Sequence, residues 1–271
     1  MLAESIRHSE AGLGAEHAGF LHYLYISTES RPFTLPQVMA VRLRDTVVEY
    51  HQEHGTGNAY RIERLMECGN AVAAGAAHWK YQCNLPECPL CYRRRAYRKA
   101  AEAACMDSVL RESDFTTQMI TIALPDVEAE AMPLRYAALS AGCSKLLKGK
   151  AYRRRVAGTA RCIETSVADT GGYHVHVHLL VAFPDVVLSD AVLNAVQHCF
   201  PQGIVYASPP VHGVHLARFA GYVLKLPDDV EAAEWLNIRT MMQGKSPLTF
   251  SGIFREARRT NKHHSPKRLL Q

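Results

Sequence analysis

Tyr173-His174-Val175-His176-Val177-His178-Leu179-Leu180-Val181 is the stretch on which the reading of this chain turns. Side chains of a strand alternate between faces. His174, His176 and His178 therefore share one face, and Val175, Val177 and Leu179 share the other. One face is a core and the other is a row of imidazoles. Imidazoles are costly to bury without partners. A divalent metal is a natural partner, because neutral imidazole offers a lone pair at fixed geometry. The plainer alternative is a solvated strand face carrying incidental histidines.

Upstream, Arg161 to Val167 reads as a second strand, joined to Tyr173–Phe183 through Asp169-Thr170-Gly171-Gly172, a hairpin signal. A hairpin symmetric about Thr170 places Glu164 opposite His176, and opposed residues share a sheet face. The carboxylate then joins two or three imidazoles. That mixed set suits Mg²⁺ or Mn²⁺ better than structural zinc and leaves coordination positions open. Glu164 as an ordinary surface residue is the competing reading.

Working outward, Thr116–Leu124 (TTQMITIAL) reads as a strand, Leu134–Leu147 as a helix, Ser189–Cys199 as a helix capped by Ser189, Ile204–Ala207 as a short strand, and Val214–Leu226 as a helix. The order strand, helix, strand, strand, helix, strand, helix predicts an α+β fold: a split β-α-β antiparallel sheet with helices packed on one face. Helices are also expected over Leu35–His54 and Tyr92–Arg111, and a short strand over His22–Ser27, broken by Arg31-Pro32. From about Gly244 the basic composition suggests a partly loose end.

Eight cysteines in a chain without a signal-peptide layout do not suggest disulfides. Cys105, Cys143, Cys162 and Cys199 are scattered and read as small buried hydrophobes. Cys68, Cys83, Cys88 and Cys91 are not scattered. Cys88-Pro89-Leu90-Cys91 is a tight thiolate pair, Cys83 lies just upstream, and Cys68 could complete a tetrahedral structural zinc site. His78, His51 and His54 are the other candidates for the fourth ligand. A redox pair would need a strand-to-helix setting that this segment lacks.

With 48% hydrophobic and 21% charged residues, the chain is not a disordered polyelectrolyte. It has no apolar run of membrane-spanning length, so a soluble, cytoplasmic protein is the expectation. The net charge of +5 says less than its distribution. Arg93, Arg94, Arg95, Arg98 and Lys99 form one basic block. Lys145, Lys148, Lys150, Arg153, Arg154 and Arg155 form a second, and Arg255, Arg258, Arg259, Lys262, Lys267 and Arg268 a third. Any one block could be a solvated helix face, but three suit a polyphosphate partner, whose condensed counterions are released on binding.

Phe219-Ala220-Gly221-Tyr222-Val223-Leu224-Lys225 puts Tyr222 and Lys225 on one helix face. A phenol beside an ammonium ionises more readily and can attack phosphorus. Taken alone, this spacing is common, and a packing Tyr with a surface Lys explains it as well. Together, a β-rich first motif, the His-hydrophobic-His strand and the Tyr-x-x-Lys helix resemble the HUH endonuclease superfamily. Within it the chain is similar to rolling-circle replication initiators of small bacterial plasmids. Arg61-Ile62, Cys68-Gly69, Lys80, Cys83, Cys88-Pro89, Cys91 and Arg94-Arg95 resemble that family's cysteine-rich segment. The likeness covers roughly residues 60–255.

The resemblance implies a DNA-nicking and joining enzyme that starts replication of a small replicon. Its site would hold Mg²⁺ or Mn²⁺ on His176 and His178 with Glu164 or His174, on a sheet face turned away from the helices, and zinc on the four cysteines. Tyr222 would be the nucleophile and Lys225 would steady it. The basic residues Arg93, Arg94, Arg95, Arg98, Lys99, Arg153, Arg154, Arg155 and Arg218 would hold DNA. Single-stranded or origin DNA is the expected partner, with a host helicase a further one and no membrane; the oligomeric state is left open. Some relatives place Glu one turn before the tyrosine, where this chain has Arg218. That departure makes a transposase or mobilisation relaxase the close alternative. A non-catalytic zinc module that binds DNA is the alternative of a different class. The expected organisation is an accessory segment (1–60), a zinc element with a basic helix (61–110), a nuclease core (111–230) and a basic end (231–271).

Overall fold

The computed structural model describes residues 35–69, 82–110, 113–169, 171–185, 188–224, 230–246 and 248–261. The expected strand at His22–Ser27, together with Lys225, His78, Lys80, Lys262, Lys267 and Arg268, lies outside them. In chain order the elements are α1 (Leu35–Glu53), α2 (Ala59–Glu67), α3 (Pro89–Leu110), β1 (Thr116–Ala123), α4 (Met132–Lys148), the one-turn α5 (Lys150–Arg153), β2 (Gly158–Val167), β3 (Tyr173–Phe183), α6 (Asp190–Cys199), β4 (Ile204–Ala207), β5 (Val211–His212), α7 (Leu216–Val223), α8 (Ala232–Met241), β6 (Leu248–Gly252) and α9 (Ile253–Asn261).

The strands form an antiparallel sheet in the order β4-β1-β3-β2-β6, with β5 also on β1. The fold is α+β, as expected. The β2–β3 hairpin has the predicted register, with Glu164 opposite His176 and Cys162 opposite His178. Its turn is closed by Ala168 N–H donating to Gly172 O, and Gly171 supplies the left-handed residue at φ +84°. Burial locks that register. Val175, Val177, Leu179 and Val181 are fully buried, and a one-residue slip would exchange them for the histidines. Each such side chain is worth about 1.5–3 kcal/mol, so slipped pairings lose decisively.

On the apolar face, these residues pack with Ile120, Ile122 and Ile163 against Leu139, Cys143 and Leu146 of α4, Val192 and Val196 of α6, and Ile238 and Met241 of α8. The imidazole face differs from the expected bare surface. One end of it carries a second core, in which Ala160, Cys162, Leu180 and Ala182 lie under Ala100, Ala103 and Met106 of α3, Leu216, Phe219, Ala220 and Val223 of α7, and Phe254 and Ala257 of α9. The small side chains at 160, 162 and 182 let these helices approach the strands closely. Helices therefore flank both faces, and among the described residues the second core covers one end of the second face and not its imidazole end.

Beyond Gly244, where the basic composition suggested a partly loose end, the described residues form β6 and α9. Leu248, Phe254 and Ala257 bury themselves in the second core, and β6 pairs with β2. Composition hid this, because the basic residues of α9 occupy its outer side. Two further helices escaped the sequence reading. α2 is short and charged, buries only Leu65, and is started by the Asn58 side chain accepting from Arg61 N–H. α8 begins in an acidic run that serves as its cap: the Glu231 side chain accepts from the third-position amide, while Glu234 accepts from Glu231 N–H. Of the scattered cysteines, Cys143 and Cys162 are buried as expected, whereas Cys105 and Cys199 are only half-buried.

Candidate metal centres and the tyrosine beside one of them

Cys68, Cys83, Cys88 and Cys91 converge in a third core, among Leu43, Val47, Leu65, Leu90 and Trp235. The Sγ atoms of Cys68 and Cys91, Cys83 and Cys91, and Cys88 and Cys68 are each 3.6 Å apart. Disulfide sulfurs would be about 2.05 Å apart. Thiolates about 2.3 Å from a tetrahedral zinc ion stand roughly 3.8 Å apart, so the spacing fits zinc. Among the described residues, Cys68 completes the cluster of four. His51 turns its Nδ1 to Thr56 Oγ1 and His54 turns its Nδ1 to Tyr50 O.

The surroundings hold the sulfurs in place. Asn84, in the left-handed region at φ 56°, donates its N–H to Cys91 Sγ at 3.3 Å. Buried Arg44 donates to Cys68 O at 2.6 Å, and Arg64 donates to Cys83 O. Trp235 of α8 donates its indole N–H to Glu87 O at 2.5 Å, and Arg239 lies over the Tyr92 ring. Hydrogen bonds from Cys68, Cys83 and Cys88 pull the Cys91 thiol far down, while Cys88 is held far up by sharing with Cys68, Cys83 and Cys91. Without a cation, the cluster holds Cys68 and Cys91 down only while Cys83 and Cys88 are pushed up. A divalent ion would hold all four.

The second cluster is Glu164, His176 and His178. Glu164 Oε2 lies 3.3 Å from His176 Nε2 and 3.2 Å from His178 Nε2. His178 is 3% exposed, and its Nδ1 meets Thr121 Oγ1 at 2.9 Å across the β1–β3 pair, where Thr121 faces His178. That contact fixes the ring, as a second-sphere partner does for a metal-bound histidine. The buried His178 Nε2 has the Glu164 carboxylate 3.2 Å away but makes no well-aligned hydrogen bond, an arrangement that fits both atoms facing one ion. Burial holds the His178 imidazole below its ordinary value, so it is neutral and its lone pair is available. Burial alone would raise the Glu164 carboxyl, but His176 and His178 outweigh it and bring it down to about 2. One ionised carboxylate and two imidazoles fit a Mg²⁺ or Mn²⁺ ion bound from one side.

His174 stands apart from this trio. Its Nδ1 is 2.7 Å from Asp126 Oδ1, and its ring reaches only its neighbour His176, 4.9 Å between centroids. The donor atoms that converge are those of Glu164, His176 and His178, and His174 is not among them. The Tyr222 ring stands edge-on to His178, 5.4 Å between centroids, and is 36% exposed. Helix α7 thus brings Tyr222 to the trio from the covered end of the imidazole face. Burial, then the nearby Glu164 charge, raises its phenol above the ordinary value.

The basic residues are dispersed. Arg93, Arg94 and Arg95 are half-buried in the first turns of α3, and Arg95 reaches Pro86 O. Arg98 is exposed, and Lys99 pairs with Glu102, which also takes Arg258. Arg153, Arg154 and Arg155 are exposed ahead of β2, at the far end of that strand from Glu164. Arg218 is exposed, one turn before Tyr222. Sequence reasoning missed Thr121, Asp126 and Asp107. A threonine on a strand and two isolated aspartates carry no local signal, since their partners are remote in the chain.

These features define a class: an antiparallel sheet with one open carboxylate–imidazole cluster, a tyrosine beside it, and a sealed four-cysteine cluster. Residues 75–193 match the family model Rep_1, described as Replication protein, and the resemblance to rolling-circle replication initiators agrees with that match. The matched stretch takes in Cys83, Cys88, Cys91 and the whole trio, and ends before α7 and Tyr222. No curated protein and no solved structure in the comparisons matches the chain. Among the described residues, no helix is long and apolar enough to cross a membrane.

Proposed function

We propose that the protein nicks and rejoins DNA to initiate rolling-circle replication of a small replicon. The observation that carries this reading is the half-exposed Tyr222 held against His178, beside the converging donor atoms of the Glu164–His176–His178 trio. An ion held by the trio would polarise a scissile phosphate. Single-stranded origin DNA crosses the open part of the imidazole face, with its backbone met by Arg218 and by basic residues of α3. The Tyr222 phenolate oxygen attacks phosphorus. The P–O3′ bond breaks, leaving a 5′-phosphotyrosine, and the departing 3′-oxygen takes up a proton, matching the one the phenol gave up, to become a 3′-hydroxyl. The covalent link retains the phosphodiester energy, so rejoining needs no ATP. Lys225 is assigned to steadying the phenolate or the phosphate. The cysteine cluster binds structural zinc.

The test is incubation of the protein with single-stranded fragments of its own replicon and Mn²⁺, with adducts mapped by mass spectrometry. A DNA adduct on Tyr222, absent from Tyr222→Phe, is expected. Metal-dependent nicking that survives in Tyr222→Phe overturns the reading.

Arg218 favours a strand-transfer variant of this chemistry, as in a transposase or relaxase. A water-driven second step needs a general base one turn from Tyr222, and arginine remains protonated. The phosphotyrosine is therefore resolved by a DNA 3′-hydroxyl. The expected result is an adduct stable for hours without an acceptor strand; rapid hydrolysis would assign the base to another residue.

A further inference from the structure

Helix α7 carries Tyr222, yet its own first turn lacks a side-chain cap. His215, the residue before it, makes no capping bond and turns Nε2 to His212 O. The first two amides of the helix belong to Leu216 and Ala217, which are 0% and 7% exposed, so water does not satisfy them. Both are taken by one residue far away in sequence. Leu216 N–H donates to Asp107 Oδ1 at 2.8 Å, and Ala217 N–H donates to Asp107 Oδ2 at 2.7 Å.

Asp107 lies near the end of α3, whose first turn contains Cys91. The two residues are separated by roughly 24 Å of helix at 1.5 Å per residue. Between them, Ala100, Ala103 and Met106 pack against Leu216, Phe219 and Ala220 of α7. The tyrosine helix is thus held at its N-terminus by a carboxylate on the same rigid rod that the cysteine cluster seats. A negative charge at a helix N-terminus is also favoured by the helix dipole.

We propose that Asp107 is a positioning residue for the tyrosine chemistry, fixing the rotation and tilt of α7 so that the Tyr222 oxygen faces the phosphate over the Glu164–His176–His178 trio. This rests on the reading of Tyr222 as the nucleophile. Displacing a reacting group by about 1 Å can cost ~10²-fold in rate, which sets the size of the effect. Asp107→Asn retains one acceptor oxygen and Asp107→Ala retains none, so the two substitutions should grade.

The experiment measures single-turnover adduct formation on a single-stranded oligonucleotide at saturating Mn²⁺ for wild type, Asp107→Asn and Asp107→Ala. Oligonucleotide KM, Mn²⁺ affinity by calorimetry and zinc content are followed alongside. The expected result is a rate lowered by ~10²-fold in Asp107→Ala and by a smaller factor in Asp107→Asn, with KM, Mn²⁺ affinity and zinc content unchanged. A wild-type rate in Asp107→Ala overturns the inference. So does a loss in Asp107→Asn that moves rate, KM and both metals together, because that is general unfolding. If wild type forms no tyrosine adduct, the nucleophile reading itself fails. A normal wild-type adduct with an indifferent Asp107 removes only this inference.

Discussion

The two clusters that could hold metal ions are built in opposite ways. Cys68, Cys83, Cys88 and Cys91 are all buried, are all sulfur, and are enclosed by α1, α2, α3 and Trp235 of α8. Every side of a tetrahedron has a protein donor, so no position remains for a substrate. Glu164, His176 and His178 instead lie on one sheet face, with nitrogen and oxygen donors on one side and the half-exposed Tyr222 ring beside them. The difference is one of enclosure and of donor chemistry. Soft donors in a closed shell suit an ion that is part of the fold, while a three-donor open face suits one that meets a ligand.

The largest effect that would break this contrast is on stability. Cys91→Ser removes the sulfur that meets two others and the Asn84 amide. Structural zinc contributes on the order of 10 kcal/mol of folding free energy, so this variant should lose its zinc and the cooperative melt of the α1–α3 region. Elemental analysis and circular dichroism check both; full zinc content in purified Cys91→Ser would refute the four-cysteine assignment.

On the open side, the same kind of change should spare the fold. His178→Ala should abolish nicking, a loss exceeding the roughly 10–100-fold that second-sphere changes cost, while the melting temperature moves by a few degrees at most. Mild EDTA should likewise stop nicking reversibly and leave zinc in place. A His178→Ala protein that nicks normally at limiting Mn²⁺ would make the two clusters alike in being non-catalytic.

Thr121→Val tests a subtler part of the open site. It keeps the strand shape but frees His178 Nδ1, and Mn²⁺ affinity by calorimetry should fall about 10-fold. Unchanged affinity would mean that packing alone orients the ring.

The smallest effect concerns pH. Burial raises the Tyr222 phenol above its ordinary value, so the phenolate fraction, and with it the nicking rate, should still be rising at about pH 9. Absorbance titration of Tyr222→Phe against wild type should remove one late-titrating phenol from the metal-free protein, and Mn²⁺ should shift that phenol to lower pH. A rate that plateaus below about pH 7 would show that phenol ionisation does not limit attack.

The strand alternation in 173–181 and the turn at 169–172 were legible because both are short-range properties of the backbone. A strand alternates every residue, and a hairpin fixes opposition by counting from its turn, so the Glu164–His176 pairing followed from the sequence. The Cys88-x-x-Cys91 pair was legible for the same reason. What alternation could not tell was which of the three imidazoles converge on the carboxylate, which are His176 and His178. Asp126 meets Nδ1 of His174 and Thr121 meets Nδ1 of His178; both partners lie on the β1 side of the sheet, far away in sequence.

Local sequence thus determined the donors, the face they share and the order of the elements, since each rests on contacts within a few residues. Tertiary structure alone decided the rest. It gathered Cys68 with the other three cysteines, while His51 and His54 turn elsewhere, by packing α1 against both α2 and α3, and it covered half of the imidazole face because Ala160, Cys162 and Ala182 leave room for helices. It also brought Tyr222 to His178 by anchoring α7 on Asp107. These are contacts between residues tens of positions apart, chosen by how whole elements pack, and no local period in the chain encodes them.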